Sequence, residues 1–115
     1  MRTNNGIQVD STVYTLPENE DELVTYSVYM GGDIGESVIT TNRPKLPNIL
    51  IYGDSFTNPL ETLLWTQANE LQSIDFRYYT QCTLKDYIAE HKPDIVICVR
   101  DETTFLSEAG NGITE

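Results

Sequence analysis

Apolar residues follow two rhythms in this chain, and the change falls at the punctuation Arg43-Pro44-Lys45-Leu46-Pro47. Residues 1–22 are polar, and Glu18, Glu20, Asp21 and Glu22 read as a solvated loop. Residues 23–30 then alternate, with Val24, Tyr26, Val28 and Met30 on one side against Thr25, Ser27 and Tyr29 on the other. Period two predicts a half-buried strand. Gly31, Gly32 and Gly35 mark a turn, and the β-branched stretch 36–41 supplies a second strand, so residues 23–47 read as a β-hairpin region. A phosphate-cradling loop would run from a buried strand into a helix, with a Lys following, which is not the pattern here.

From residue 48 onward strands and helices alternate. The apolar run 49–52 breaks into Gly53-Asp54-Ser55 and then a helix start, with Asn58 as the expected cap, Pro59 in the first turn and Glu61 closing a capping box. Leu60, Leu63, Leu64, Ala68 and Leu71 form one stripe at helical spacing and predict a core-facing side. Residues 73–79 alternate as a second strand. Thr83 caps a short helix that carries Leu84, Tyr87 and Ile88 and ends before Pro93. Five consecutive apolar residues, 95–99, predict a strand covered on both faces. The expected fold class is therefore α/β: a parallel sheet, β-α-β-α-β from residue 48, preceded by the hairpin region. Residues 48–106 form the core and 107–115 a tail, in one domain of 115 residues.

Composition narrows the partners. A net charge of −11 repels phosphate backbones and anionic lipid, so neither nucleic acid nor membrane insertion is expected. No apolar run reaches the ~20 residues of a membrane span, and the polar start is not a signal peptide. Cys82 and Cys98 lack metal-site spacing; Cys98 reads as a buried hydrophobe, and no metal or cofactor is expected.

The chemistry gathers where parallel strands end, the place open α/β sheets bind ligands. Ser55 stands there just before a helix N-terminus, whose amides and dipole favour a developing oxyanion. Gly53 permits the sharp turn and Asp54 hydrogen-bonds within it. Asp101 and Glu102 follow the third strand at the same edge. His91, the one histidine, ends a helix at the opposite edge; it reads as a partner of the helix dipole and not as the base for Ser55.

Ile-Tyr-Gly-Asp-Ser-Phe (51–56), Ile-Asp-Phe-Arg-Tyr-Tyr (74–79), Tyr-Ile-Ala-Glu-His-Lys-Pro-Asp (87–94) and Asp-Glu-Thr-Thr-Phe (101–105), in that order, resemble the SGNH hydrolase-like proteins of the DHHW type, relatives of the alginate O-acetyltransferases. The resemblance implies a flavodoxin-like, three-layer parallel sheet and Ser55 as acyl-carrying nucleophile; Gly53, Asp54 and Asp101 are the expected oxyanion or supporting groups. It further implies a carbohydrate or acyl-ester substrate and a parent protein of the cell envelope. It implies that this chain is the C-terminal part of a larger domain, or a shortened relative. The family's Asp-His pair lies upstream of its serine, whereas no histidine precedes Ser55 here. Where the family often has Asn, this chain has Asp101, whose carboxylate opposes a developing negative charge unless protonated. The leading expectation is a serine acyl hydrolase or O-acetyltransferase acting on cell-envelope carbohydrate, catalytically incomplete as this chain alone. The alternative is a binding or structural module that retains the fold. A receiver-like phosphoacceptor role for Asp101 is the weakest reading, because Gly53-Asp54-Ser55 replaces the expected acidic pair.

Overall fold

The computed structural model describes residues 1–10, 13–103 and 106. Its strands are β1 Arg2–Asn4, β2 Ile7–Val9, β3 Glu36–Thr40, β4 Asn48–Gly53, β5 Glu70–Asp75 and β6 Ile95–Val99; its helices are α1 Thr57–Leu64 and α2 Leu84–His91. They form one six-stranded sheet in the order β2-β1-β3-β5-β4-β6. β4 runs parallel to β5 and to β6, while β1, β2 and β3 join by antiparallel pairing. The β-α-β-α-β core is as expected, within an α/β sheet of mixed strand direction.

Alternation along β4 assigns the layers. Ile49 and Ile51 point to one face and pack with Met30, Ile39, Ala68 and Leu71, joined by Leu64 and Trp65 from the end of α1 and the turn after it. Leu50 points to the other and packs with Ile74, Tyr79, Leu84 and Tyr87, two of them on α2. The helices therefore cover opposite faces, as a chain does when it leaves the central strand for one neighbour and returns to the other. Each helix has a stop or start with a cause. Thr83 Oγ1 accepts from the Asp86 amide at 3.1 Å to cap α2, and Lys92 leaves it in the left-handed conformation. Arg43 donates to the carbonyls of Thr66 and Trp65 at 2.8 and 2.9 Å, closing the end of the α1 segment.

Several expectations are overturned. The hairpin lies at β1–β2 within the expected polar loop, and the turn Asn5-Gly6 has positive φ at both residues (48° and 79°). Such a two-residue turn matches strand twist, and Asn-Gly is its strongest sequence signal. Residues 23–30 are not a strand, for both edges of β3 are taken by β1 and β5; a 3-10 turn, Tyr26–Val28, occupies the stretch instead. The second core strand is Glu70–Asp75 and ends where residues 73–79 had predicted its middle. Asn58 does not cap α1, which begins one residue before it; its buried side chain instead donates to Gly32 O at 3.2 Å. Glu61 turns inward, away from the capping-box position. The buried positions of α1 are Thr57, Asn58, Glu61 and Thr62, while Leu60 and Leu63 are 39% and 63% exposed. Finally, β6 is an edge strand among the described residues, and Ile95, Val96 and Cys98 are exposed.

Candidate nucleophile site at the carboxyl edge of the sheet

Strands β4 and β6 come so close at their ends that only glycine fits at residue 53. A Cβ there would lie 1.7 Å from the Val99 carbonyl oxygen, and the φ of +155° is itself one that L-residues rarely adopt. The chain then turns away, and Asp54 fixes the turn. Its Oδ1 accepts from the Phe56 amide at 3.0 Å, and its Oδ2 accepts from the Asp101 amide at 2.8 Å. One buried carboxylate thus ties the loop after β4 to the loop after β6. This is the switch point of the parallel part of the sheet, since the chain passes from β4 to β5 on one side and returns to β6 on the other.

Ser55 sits between these ties, partly exposed. Its carbonyl accepts from the Asn58 amide at 3.1 Å and from the Tyr26 hydroxyl at 2.6 Å. Its own hydroxyl makes no hydrogen bond among the described residues. The first amides of α1 are already engaged: Phe56 with the Asp54 carboxylate, Thr57 with Asp54 O and Asn58 with Ser55 O. Burial, and after it the negative field of Asp33 and Asp54, pushes the Tyr26 phenol above its usual range, so it stays a neutral donor.

A polar network supports the site from below. Glu61 Oε1 accepts from Ser73 Oγ at 2.5 Å and Thr57 Oγ1 at 2.8 Å, and burial raises the carboxyl's pKa against the opposing pull of those bonds and of Arg2. Beside it Asp75 takes Arg77 Nε through both oxygens, at 2.9 and 3.1 Å, and Arg77 also reaches Asp33 at 3.5 Å. The hydrogen bond to Asp75, with the charge of Asp75 and Asp33, moves Arg77 upward, so it remains a cation.

The structure brings Gly53, Asp54, Ser55 and Asp101 together. Asp101 contributes its backbone amide, while its Oδ1 accepts from the Thr103 amide and hydroxyl at 2.7 and 2.8 Å. Glu102 is exposed at the same edge. His91 lies at the other end, stacked on Tyr87 with ring centroids 4.0 Å apart and 3.1 Å from Gln72 Nε2. Gln72 pairs with Leu50, and the three residues from there to the end of β4 at Gly53, at about 3.3 Å each, put the Ser55 turn roughly 10 Å beyond that level. Cys82 and Cys98 are free thiols. Sequence reasoning missed Tyr26, Asp33, Asp75 and Arg77 as parts of this edge. The Asp-x-Arg spacing of Asp75 and Arg77 was a local signal; nothing in the sequence pointed Tyr26 at Ser55. Among the described residues no group of His, Cys, Asp and Glu is arranged to hold a metal, and no helix is long and apolar enough to cross a membrane.

No family model matches the chain, and no curated protein matches it significantly. Among solved structures it is similar to Bacillus cereus PatB1 with a sulfonyl adduct, at TM-score 0.67 and 21% identity over 76% of this chain and 30% of that one. A second PatB1 structure aligns at TM-score 0.63 and 24% identity, over 70% and 27% of the two chains. A DHHW family protein from Eubacterium siraeum DSM 15702 aligns at 0.64 and 21%, over 77% and 28%. At this identity the likeness establishes a shared α/β fold. The chain spans under a third of the length of each of these proteins.

Proposed function

We propose that Ser55 is the nucleophile of an SGNH-like acyl-ester hydrolase or O-acetyltransferase acting on cell-envelope carbohydrate, and that its base comes from outside the described residues. The carrying observation is Ser55 itself, partly exposed at the switch point of the sheet, with a hydroxyl unengaged among the described residues. In the reaction Oγ attacks the acyl carbon as its proton passes to a base; the ester oxygen leaves with a proton, and water or an acceptor hydroxyl then takes the acyl group from Ser55. The likeness to PatB1 bearing a sulfonyl adduct supports the reading, since such an adduct is what a sulfonyl electrophile leaves on a nucleophile. The backbone amides of the first turn of α1 are occupied, so oxyanion donors would be the Ser55 amide and groups that arrive with the base.

Phenylmethanesulfonyl fluoride tests this on the 115-residue chain. With imidazole supplied as an external base, mass mapping is expected to place the sulfonyl group on Ser55 ahead of every other serine, and p-nitrophenyl acetate turnover without imidazole is expected to be negligible for the native chain and Ser55→Ala alike. Absence of Ser55 labelling under all conditions would refute the nucleophile. Ser55-dependent turnover without added base would refute the missing-base half of the proposal. A non-catalytic binding module is the second reading, favoured by the apolar residues Phe56, Leu60 and Leu63 exposed along α1; in that case Ser55 labels no faster than other serines.

A further inference from the structure

At the same sheet edge as the Ser55 turn, after β5, a cleft of about 370 Å³ is lined by Asn5, Asp33, Gly35, Tyr78, Tyr79, Thr80 and Gln81. We propose that it is a subsite for uncharged saccharide rings, stacked on Tyr78 and hydrogen-bonded by Asp33, Asn5, Thr80 and Gln81. This rests on the acyl-transfer reading only for its use; the binding itself stands apart from Ser55.

The volume lies in the range of small-ligand clefts, ~300–1,000 Å³. Tyr78 is 56% exposed, yet it is held. The Arg77 guanidinium lies 5.2 Å from its ring centroid, and Arg77 is itself clamped by Asp75 and Asp33. A fixed ring with an open side is a platform for the C–H face of a sugar, at small cost in side-chain freedom. The adjoining Tyr79 is fixed in the core against Phe76 and Tyr87. Asn5 Oδ1 accepts the Glu36 amide at 2.9 Å, which locks the tip of the β1–β2 turn as the cleft's far wall. Gly35 forms a backbone floor: a Cβ there would come within 3.1 Å of Asn5 Oδ1 and 3.3 Å of the Tyr78–Tyr79 backbone.

Charge selects the sugar. Asp33 brings a carboxylate whose nearest cation is Arg77, and the chain as a whole carries −11. A uronate or sulfated glycan meets repulsion, whereas neutral hydroxyls meet an acceptor already held in place. Asn58 links the cleft to the nucleophile, for its Nδ2 donates to Asp33 Oδ1 at 3.4 Å and its amide to Ser55 O at 3.1 Å. Asp33 is thus shared between the cleft and the start of α1.

The test is a titration of the ¹⁵N-labelled chain with the uncharged trisaccharides cellotriose and chitotriose and with anionic trigalacturonate. At least one neutral sugar is expected to give saturable shifts at Gly35, Thr80 and Gln81 with Kd in the millimolar range, roughly 4 kcal/mol of binding. Trigalacturonate should give none. Tyr78→Ala, or Gln81→Ala should the first variant unfold, should weaken binding about tenfold or more with the remaining spectrum in place. Ser55→Ala should bind like the native chain, so sulfonyl labelling and sugar binding succeed or fail independently. No saturable shift with either neutral sugar up to about 20 mM, a range covering weak single-site affinities, would overturn the proposal. So would binding indifferent to both variants, or equal binding of trigalacturonate.

Discussion

Removing the Asp54 carboxylate should loosen the two halves of the candidate site at once. Its oxygens separately serve the amides of Phe56 and Asp101, and the side chain is buried. Hydrogen bonds to a charged acceptor contribute ~1.5–3 kcal/mol each, which would give roughly 3–6 kcal/mol for the pair. Phe56 is 54% exposed and Asp101 half-buried, so water replaces part of what Asp54→Ala removes. The expected loss is therefore about 2–4 kcal/mol. Asp54→Asn keeps one acceptor and presents an amide group to the other N–H; it should cost about half as much. Urea unfolding followed by circular dichroism reads both, and thermal midpoints should fall by roughly 4–6 °C per kcal/mol. Amide shifts of Phe56 and Asp101 should move most in the folded variants. A loss below about 0.5 kcal/mol for Ala, the size of an ordinary surface substitution, would sink the reasoning. So would equal losses for Ala and Asn, because the two-bond account requires a difference.

Two other variants probe the frame. Gly53→Ala places a methyl group 1.7 Å from the Val99 carbonyl, so the β4–β6 ends must part; we expect a loss of more than about 3 kcal/mol or failure to fold, read by thermal melting, and a native-like midpoint would show that the two ends do not meet. Glu61→Gln tests the buried carboxyl by pH. Its folded pKa is raised by burial, so the folded protein binds this proton more tightly than the unfolded chain, whose value is about 4.3. The associated stability is complete below that value and is lost as pH rises through the folded one. Gln mimics the protonated form and should match or exceed the native chain at neutral pH while flattening the urea midpoint's pH profile above pH ~4; an unaltered slope would show that Glu61 is ionised in both states.

How much of this was legible depended on whether a signal was local. β4, β6 and α2 were readable because short apolar runs and the Thr83 cap carry their own explanation, whereas β5, Glu70–Asp75, has no such run and its alternation placed it too late in the chain. The β1–β2 hairpin was equally local, in Asn5-Gly6, and was passed over amid polar neighbours. The alternation of residues 23–30 misled because strand formation needs a free neighbouring edge, and β3 has none. Leu60 and Leu63 showed the right period but the wrong direction. The sheet beneath α1 offers Ser73, and Glu61 meets it, with Arg2 stabilising that carboxylate from the first strand. No window of α1 alone contains that information. Ser55 was legible as a strand-to-helix serine; the tie from Asp54 to the Asp101 amide and the Tyr26 hydroxyl were not, because they join segments 47 and 29 residues apart.

These long-range ties change the weight of the serine. On sequence alone, a serine before a helix is most simply a cap or a turn former. Here that work is done by Asp54, whose carboxylate takes the Phe56 amide and whose carbonyl takes that of Thr57. Substituting Ser55 would remove no hydrogen bond of its hydroxyl among the described residues. Its backbone, by contrast, is held by Asn58 and Tyr26 and flanked by the Asp54–Asp101 tie. A turn that needed only to be a turn would not require three separate segments to converge on it. A side chain with no hydrogen bond of its own among the described residues thus sits on a backbone that is held, the arrangement the proposed nucleophile role requires. On the proposed reading the base for Ser55 comes from the carboxyl edge, since His91 lies toward the other end of the sheet against Tyr87 and Gln72.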